Sequence, residues 1–220
     1  MADSSLHSRH HILPMCNLYS VTIGQAAILE FTRAMRNTTD NLPPLPGIFP
    51  DYPTPIGRNV DGERSLSMVR WGMPSSSQAL FQATKKRAVA LEAKGKAVVF
   101  QALVKAEPDK GTRNIRNTSS KHWTRWLGPA KRCLVPFTSF SEWDAASKEP
   151  AWFAAGEERP LMVFAGIWTT WTSVRKAREG EVTVDCFGFL TTEANATVGA
   201  IHPKAMPVIL TTPEDMDVWM

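Results

Sequence analysis

The sequence predicts an α+β fold built around a mainly antiparallel, curved or barrel-like β-sheet, and three observations predict it. Short apolar runs of β-forming composition recur and dominate the second half: SLSMVRW (65–71), RCLVPF (132–137), LMVFAGIW (161–168), VTVDCFGFLTT (182–192) and MPVIL (206–210). Only two long stretches carry helical spacing, so helices flank the sheet rather than alternate with its strands. A hydrophobic content of 43% over 220 residues supplies one core without disulfides or a structural metal.

Taken in order, residues 1–14 (MADSSLHSRHHILP) are polar, His-rich and without periodicity. They read as a tail or mis-assigned leader, and metal binding by His7, His10 and His11 is the less favoured reading. The folded domain is placed at 15–220. Within residues 24–36, Ala27, Ile28, Phe31 and Met35 share helical spacing and predict an amphipathic helix. The following NLPPLPGIFPDYPTPIG is too proline-rich for a helix or a central strand and predicts an ordered, extended surface loop. A second helix is predicted over residues 76–96, with Leu80, Ala83, Ala88 and Leu91 on one face and a stop near Gly95.

Charge and cysteine usage narrow the function classes. The net charge is +4, compatible with a polyanionic partner. The basic residues gather at 85–87, 113–125, 131–132 and 175–178, which on charge alone read as solvated surface. Cys16, Cys133 and Cys186 are too few and scattered for a disulfide framework, and no CxxC or Cys/His ligand spacing occurs. No run reaches the roughly 18 apolar residues of a membrane span. A cytoplasmic protein with no membrane partner is expected. No metal, nucleotide or flavin cofactor is implied, and a monomer is the working expectation.

Cys16 follows Met15 directly, and removal of that methionine would leave a cysteine bearing both a free α-amine and a thiol. The amine, with a reference pKa of roughly 7.7 to 8.0, is partly neutral near physiological pH and attacks aldehydes to give imines. The adjacent thiol then closes a five-membered thiazolidine that resists hydrolysis better than the open imine. An abasic site in DNA equilibrates with a ring-opened aldehyde, which makes it an apt substrate. Met-Cys alone carries little weight, because a lone cysteine is more often a buried small hydrophobe.

The MCNLYS segment is joined in fixed order by VRWGMP (69–74), NIRN (114–117), RCLVPFTSFSEW (132–143), FAGIW (164–168) and TTEANATVGAIHPKAMPVIL (191–210). Together these resemble the SRAP (SOS response-associated peptidase) family, over about residues 15 to 219. The resemblance implies abasic-site capture in single-stranded DNA, with Cys16 as the DNA-linked residue. Asn114 matches an asparagine that orients the sugar or the cysteine amine. Glu142 matches a glutamate that shuttles the proton of imine formation, for which partial burial is expected to raise its pKa. His202 matches a histidine suited to protonating the sugar ring oxygen. Arg116 resembles an arginine that contacts a DNA phosphate. Trp143, next to Glu142, is a candidate for base stacking, whereas Trp71 and Trp168 read as core, and Cys133 and Cys186 as inert core thiols.

The chain also departs from the wider family pattern. Asn17 and Leu18 replace the usual Gly-Arg, so that arginine's phosphate contact falls to Arg116 or Arg113. Thr118 stands where an acidic residue is usual. GIFPDYP replaces an Asn-x-x-Pro loop, of which only Pro50 can be matched, and residues 75–111 are longer than the minimal version. These features suggest a bacterial subgroup. Because an amide-linked Cys16 has no free amine, translation is expected to start at Met15. Two rival functions stand beside capture: a cysteine-dependent peptidase acting on its own leader, and a noncovalent single-strand binder.

Overall fold

A computed structural model gives the fold, and it describes residues 17–220; Cys16 and the 1–14 tail lie outside the described residues. The chain opens with β1 (Leu18–Val21), α1 (Gln25–Thr32), β2 (Arg36–Asn37), β3 (Leu45–Ile48), β4 (Pro53–Val60) and β5 (Glu63–Trp71). A helical pair, α2 (Ser77–Glu92) and α3 (Phe100–Lys105), precedes β6 (Asn114–Ile115) and α4 (Lys121–Thr124). Then come β7 (Arg132–Phe137), β8 (Ser139–Asp144), β9 (Glu149–Phe153), β10 (Met162–Val174) and β11 (Glu181–Thr192). The last elements are α5 (Ala196–Gly199), β12 (Met206–Pro207), β13 (Ile209–Leu210) and α6 (Pro213–Trp219).

Strands β11, β10, β7, β4 and β5 are antiparallel neighbours in that order, and a short parallel pairing of β5 with β11 closes them into a five-stranded barrel. A four-stranded sheet, β3-β1-β8-β9, packs beside it. The expected barrel-like α+β fold is therefore present. Aromatic residues weld the two sheets: Tyr19 of β1 meets Trp71 at 5.1 Å, Phe164 at 5.9 Å and Phe189 at 6.3 Å, all edge-on. Such pairings contribute beyond simple burial. The β4–β5 hairpin turns on Asp61-Gly62, both at positive φ, the two-residue turn that matches strand twist.

Some expectations fail locally. Residues 41–57 are not a loop: they contain β3 and the start of β4, a barrel strand. Pro53 and Pro55 are tolerated because that part of β4 pairs only with β5, while pairing to β7 begins at Gly57. Proline is accommodated where one strand edge needs no N–H donor. The first helix ends at Thr32 because Arg33 adopts φ 52°, so Met35 lies 85% exposed outside it. In α2, Ala83 is exposed and Thr84 takes its place on the buried face beside Ala88. The 206–210 strand is two short pieces on different partners, β11 and β10.

Candidate functional site

Strand β1 begins one residue after Asn17 and runs antiparallel to β8, with Leu18 opposite Ser141 and Tyr19 opposite Phe140. Alternation then sorts β8 into two faces. Phe140 and Glu142 share the face turned toward the barrel, where Phe140 approaches Phe164 at 5.8 Å. Glu142 is 2% exposed. On the other face, Leu18, Ser141 and Trp143 line a groove of about 610 Å³ together with Asn17, Phe49, Pro50, Arg113 and Pro150. The Arg113 guanidinium donates to the Asn17 side-chain oxygen, which seats the residue following Cys16 in the groove. Burial lowers the Arg113 pKa, although an arginine so placed remains a cation.

Strand β6 pairs in parallel with β11, placing Asn114 opposite Phe189. That approach needs Gly188, since a Cβ there would sit 3.0 Å from the Arg113 carbonyl oxygen and 3.1 Å from that of Thr112. His202 follows α5, which Asn195 caps by accepting from the Val198 N–H at 2.9 Å, and its own N–H donates to the Val198 carbonyl at 2.8 Å. The ring is buried, with 4% exposure for the residue, and Nε2 has no hydrogen-bond partner among the described residues. Its pKa is lowered, first by burial and then by the nearby charges of Lys204 and Arg116, so the neutral imidazole prevails at neutral pH. Arg116 itself is exposed.

The structure thus gathers Asn17, Pro50, Arg113 and Trp143 in one groove, flanked in sequence by Asn114 and Glu142, and brings Arg116 into the field of His202. Two residues, one in the groove and one on the β8–β9 face beside it, had no sequence signal strong enough to single them out. Phe49 lines the groove from the proline-rich segment. Trp152 pairs opposite Ser141 and is 44% exposed, on the same outward face as Trp143 at 41%. Its setting in EPAWF, next to proline and charge rather than within an apolar run, is the available clue. Trp71 and Trp168 are buried, as expected of core residues. Cys133 and Cys186 are also buried, with burial raising both thiols, Cys186 to about 12.

Behind the Phe49–Pro50 wall, the 175–178 basic run departs from a solvated surface. Arg175 is 5% exposed. It donates to Asp51 at 3.1 Å and to the Gly72 carbonyl oxygen at 3.1 Å. Asp51 also accepts from Arg70 at 2.6 and 2.7 Å and pairs with Lys176 at 2.7 Å. Burial works to raise the Asp51 carboxyl, but the hydrogen bonds from Arg70, Lys176 and Arg175 outweigh it and hold the pKa at about 2. The cluster ties the loop next to Pro50 to the barrel at the point where Gly72 and Gly111 crowd the guanidinium.

A family model described as SOS response associated peptidase (SRAP) matches residues 15–220. No curated protein matches the chain. Among solved structures, a Bacteroides thetaiotaomicron protein is similar with a TM-score of 0.60 and 21% identity, covering 93% of this chain and 80% of that one. A Bordetella bronchiseptica protein is similar with a TM-score of 0.58 and 20% identity, covering 93% and 87%. A phage-related protein of the same species gives 0.58 and 20%, covering 93% and 81%. At these identities the likeness establishes the fold.

Proposed function

The chain belongs to the SOS response associated peptidase family, and from that membership we propose that it captures abasic sites in single-stranded DNA as a covalent thiazolidine on Cys16. The observation that carries this reading is the Arg113–Asn17 contact, which holds the residue after Cys16 in a groove lined by a cation and an exposed tryptophan. Exposed aromatic faces beside a cation suit unpaired bases and phosphates.

In the proposed reaction the neutral Cys16 amine attacks the sugar aldehyde, forming a C–N bond. One amine proton passes to the new alkoxide and makes it a hydroxyl; the Glu142 carboxylate accepts the second and returns it to that hydroxyl, which leaves as water as the C=N bond of the imine forms. The thiol sulfur then adds to the imine carbon, its proton passes to nitrogen, and the thiazolidine ring closes. Asn114 orients the sugar or the amine. The neutral His202 imidazole, with Nε2 unengaged among the described residues, takes the proton of the anomeric hydroxyl and returns it to the ring oxygen as the bond between that oxygen and the anomeric carbon breaks, which leaves the open aldehyde. Arg116 holds a phosphate, and Pro50 forms part of the groove wall. The amine must be free, so whatever precedes Cys16 must be absent or removed.

Protein beginning at Cys16 should form a denaturant-stable adduct with single-stranded DNA carrying an abasic site, and none with intact DNA. Cys16→Ala retains an amine and should give only an imine, trapped by borohydride and lost on denaturation without it. Equal stability of the Cys16→Ala adduct would exclude ring closure by the thiol.

A further inference from the structure

The net positive charge of this protein is confined to one segment. Residues 77–110 hold seven Lys or Arg and three Asp or Glu; the whole chain holds 25 and 21, so the remainder, with 18 of each, is neutral. All of the net +4 therefore resides in the segment that forms α2 and α3.

The acidic residues of the segment are largely committed within it. Glu107 pairs with Arg87 at 3.4 Å, and Asp109 is buried, accepting from the Ser75 and Gly111 N–H groups where the segment leaves and rejoins the barrel. By contrast, Lys86, Lys94, Lys96 and Lys105 are exposed and enter no ion pair among the described residues. They run from α2 through the turn beyond it to the end of α3. Both ends of the segment are pinned by reciprocal Met73–Thr112 backbone hydrogen bonds of 2.9 and 2.7 Å, directly before groove-lining Arg113.

From this placement we infer that the α2–α3 hairpin is a second nucleic-acid surface, whose lysines hold the phosphates of DNA flanking the nucleotide in the groove. The inference rests on the reading of single-stranded DNA as the partner. Unpaired lysines give phosphate contacts without reading bases, and each such contact releases a counterion and makes binding salt-dependent. The rival occupant is an acidic protein segment, which the exposed Val89 and Val99 would also suit.

The test compares intact single-stranded oligonucleotides of about 6 and about 30 nucleotides, short enough to fill only the groove and long enough to reach the hairpin. The protein carries Lys86, Lys94, Lys96 and Lys105 all changed to Gln, or all changed to Arg. The Gln variant should bind the long DNA about 10- to 100-fold more weakly at moderate salt and lower the slope of log affinity against log salt by about 3, with the short DNA little affected. The Arg variant should restore both values. Unchanged affinity and slope on long DNA in the Gln variant would overturn the inference, as would loss of binding to an acidic, valine-complementary peptide without loss of DNA binding. Adduct yield with an abasic oligonucleotide of about 6 nucleotides is scored separately: its absence would sink the capture reaction while lysine-dependent DNA binding still stood.

Discussion

Two polar corners of this molecule, each built around one titratable side chain with cations nearby, differ in how their polar atoms are used. At the Asp51 corner, one carboxylate gathers Arg70, Arg175 and Lys176, so its charge is answered within the fold. At the His202 corner, the nearby charges are Lys204 and Arg116, both of the sign that disfavours a protonated ring, and Nε2 is unengaged among the described residues. The first arrangement holds a wall of the groove in place. The second leaves a neutral imidazole whose Nε2 the proposed reaction uses for proton transfer. The fold thus spends the hydrogen-bonding capacity of the first polar group and leaves part of the second's unspent among the described residues.

The sharpest way to break this contrast is to substitute both corners and read rate and stability separately. Glu142→Gln and His202→Ala should each slow adduct formation by on the order of 10²- to 10⁴-fold, the range of general acid–base groups, while leaving binding to intact single-stranded DNA largely unchanged. Unchanged rates would remove these residues from the chemistry. Arg175→Ala should instead act on stability, destabilising the fold by about 1–3 kcal/mol through the hydrogen bonds to Asp51 and the Gly72 carbonyl that it removes, since Arg70 and Lys176 still hold Asp51. A urea midpoint equal to that of the unaltered protein would show that the cluster holds nothing.

Trp143→Ala and Trp152→Ala test the outer face of β8 and β9. Each should weaken binding to intact single-stranded DNA by about 1–3 kcal/mol if a base stacks on it, with chemistry at saturation preserved. Loss at Trp143 alone would confine the strand's path to the groove mouth.

Acid titration of stability gives a finer comparison. Asp51, held at about 2 in the fold against about 3.9 when unfolded, contributes about 2 kcal/mol that is fully present above pH 4 and lost as pH falls toward 2. His202, whose folded pKa lies below its unfolded value of about 6.5, contributes stability that is present above that value and lost as pH falls below it. Asp51→Asn should flatten only the more acidic step, and His202→Ala only the less acidic one. A single step abolished by either substitution would contradict the separation of the corners.

Much of the fold was legible from local pattern. The runs at 65–71, 132–137 and 182–192 became β5, β7 and β11 because continuous apolar, β-branched segments suit strands buried in a closed sheet. Strands β8 and β9 escaped, being rich in Ser or charged residues or broken by proline, and β1 escaped because it is only four residues long and pairs with β8, far along the chain. β4 was hidden by its prolines, whose tolerance depends on which edge has a neighbour. Glu142, Asn114 and His202 could be singled out through the family resemblance, and burial of Glu142 and His202 became visible only in the fold. The Asp51–Arg175 pairing joins positions 124 residues apart and leaves no local signal. Trp152 was missed because exposure on the outer face of a hairpin cannot be told from tryptophan count alone.

The central claim is that amine and thiol of one terminal cysteine act together. Its most direct measurement is intact-mass analysis after mixing abasic single-stranded DNA with two forms of the protein, one beginning at Cys16 and one retaining residues 1–15. The first form should give a denaturant-stable adduct, and the second none unless the same spectrum shows that the leading residues have been cleaved. An uncleaved second form that cross-links as well as the first would contradict the thiazolidine and leave a simple thiol adduct in its place.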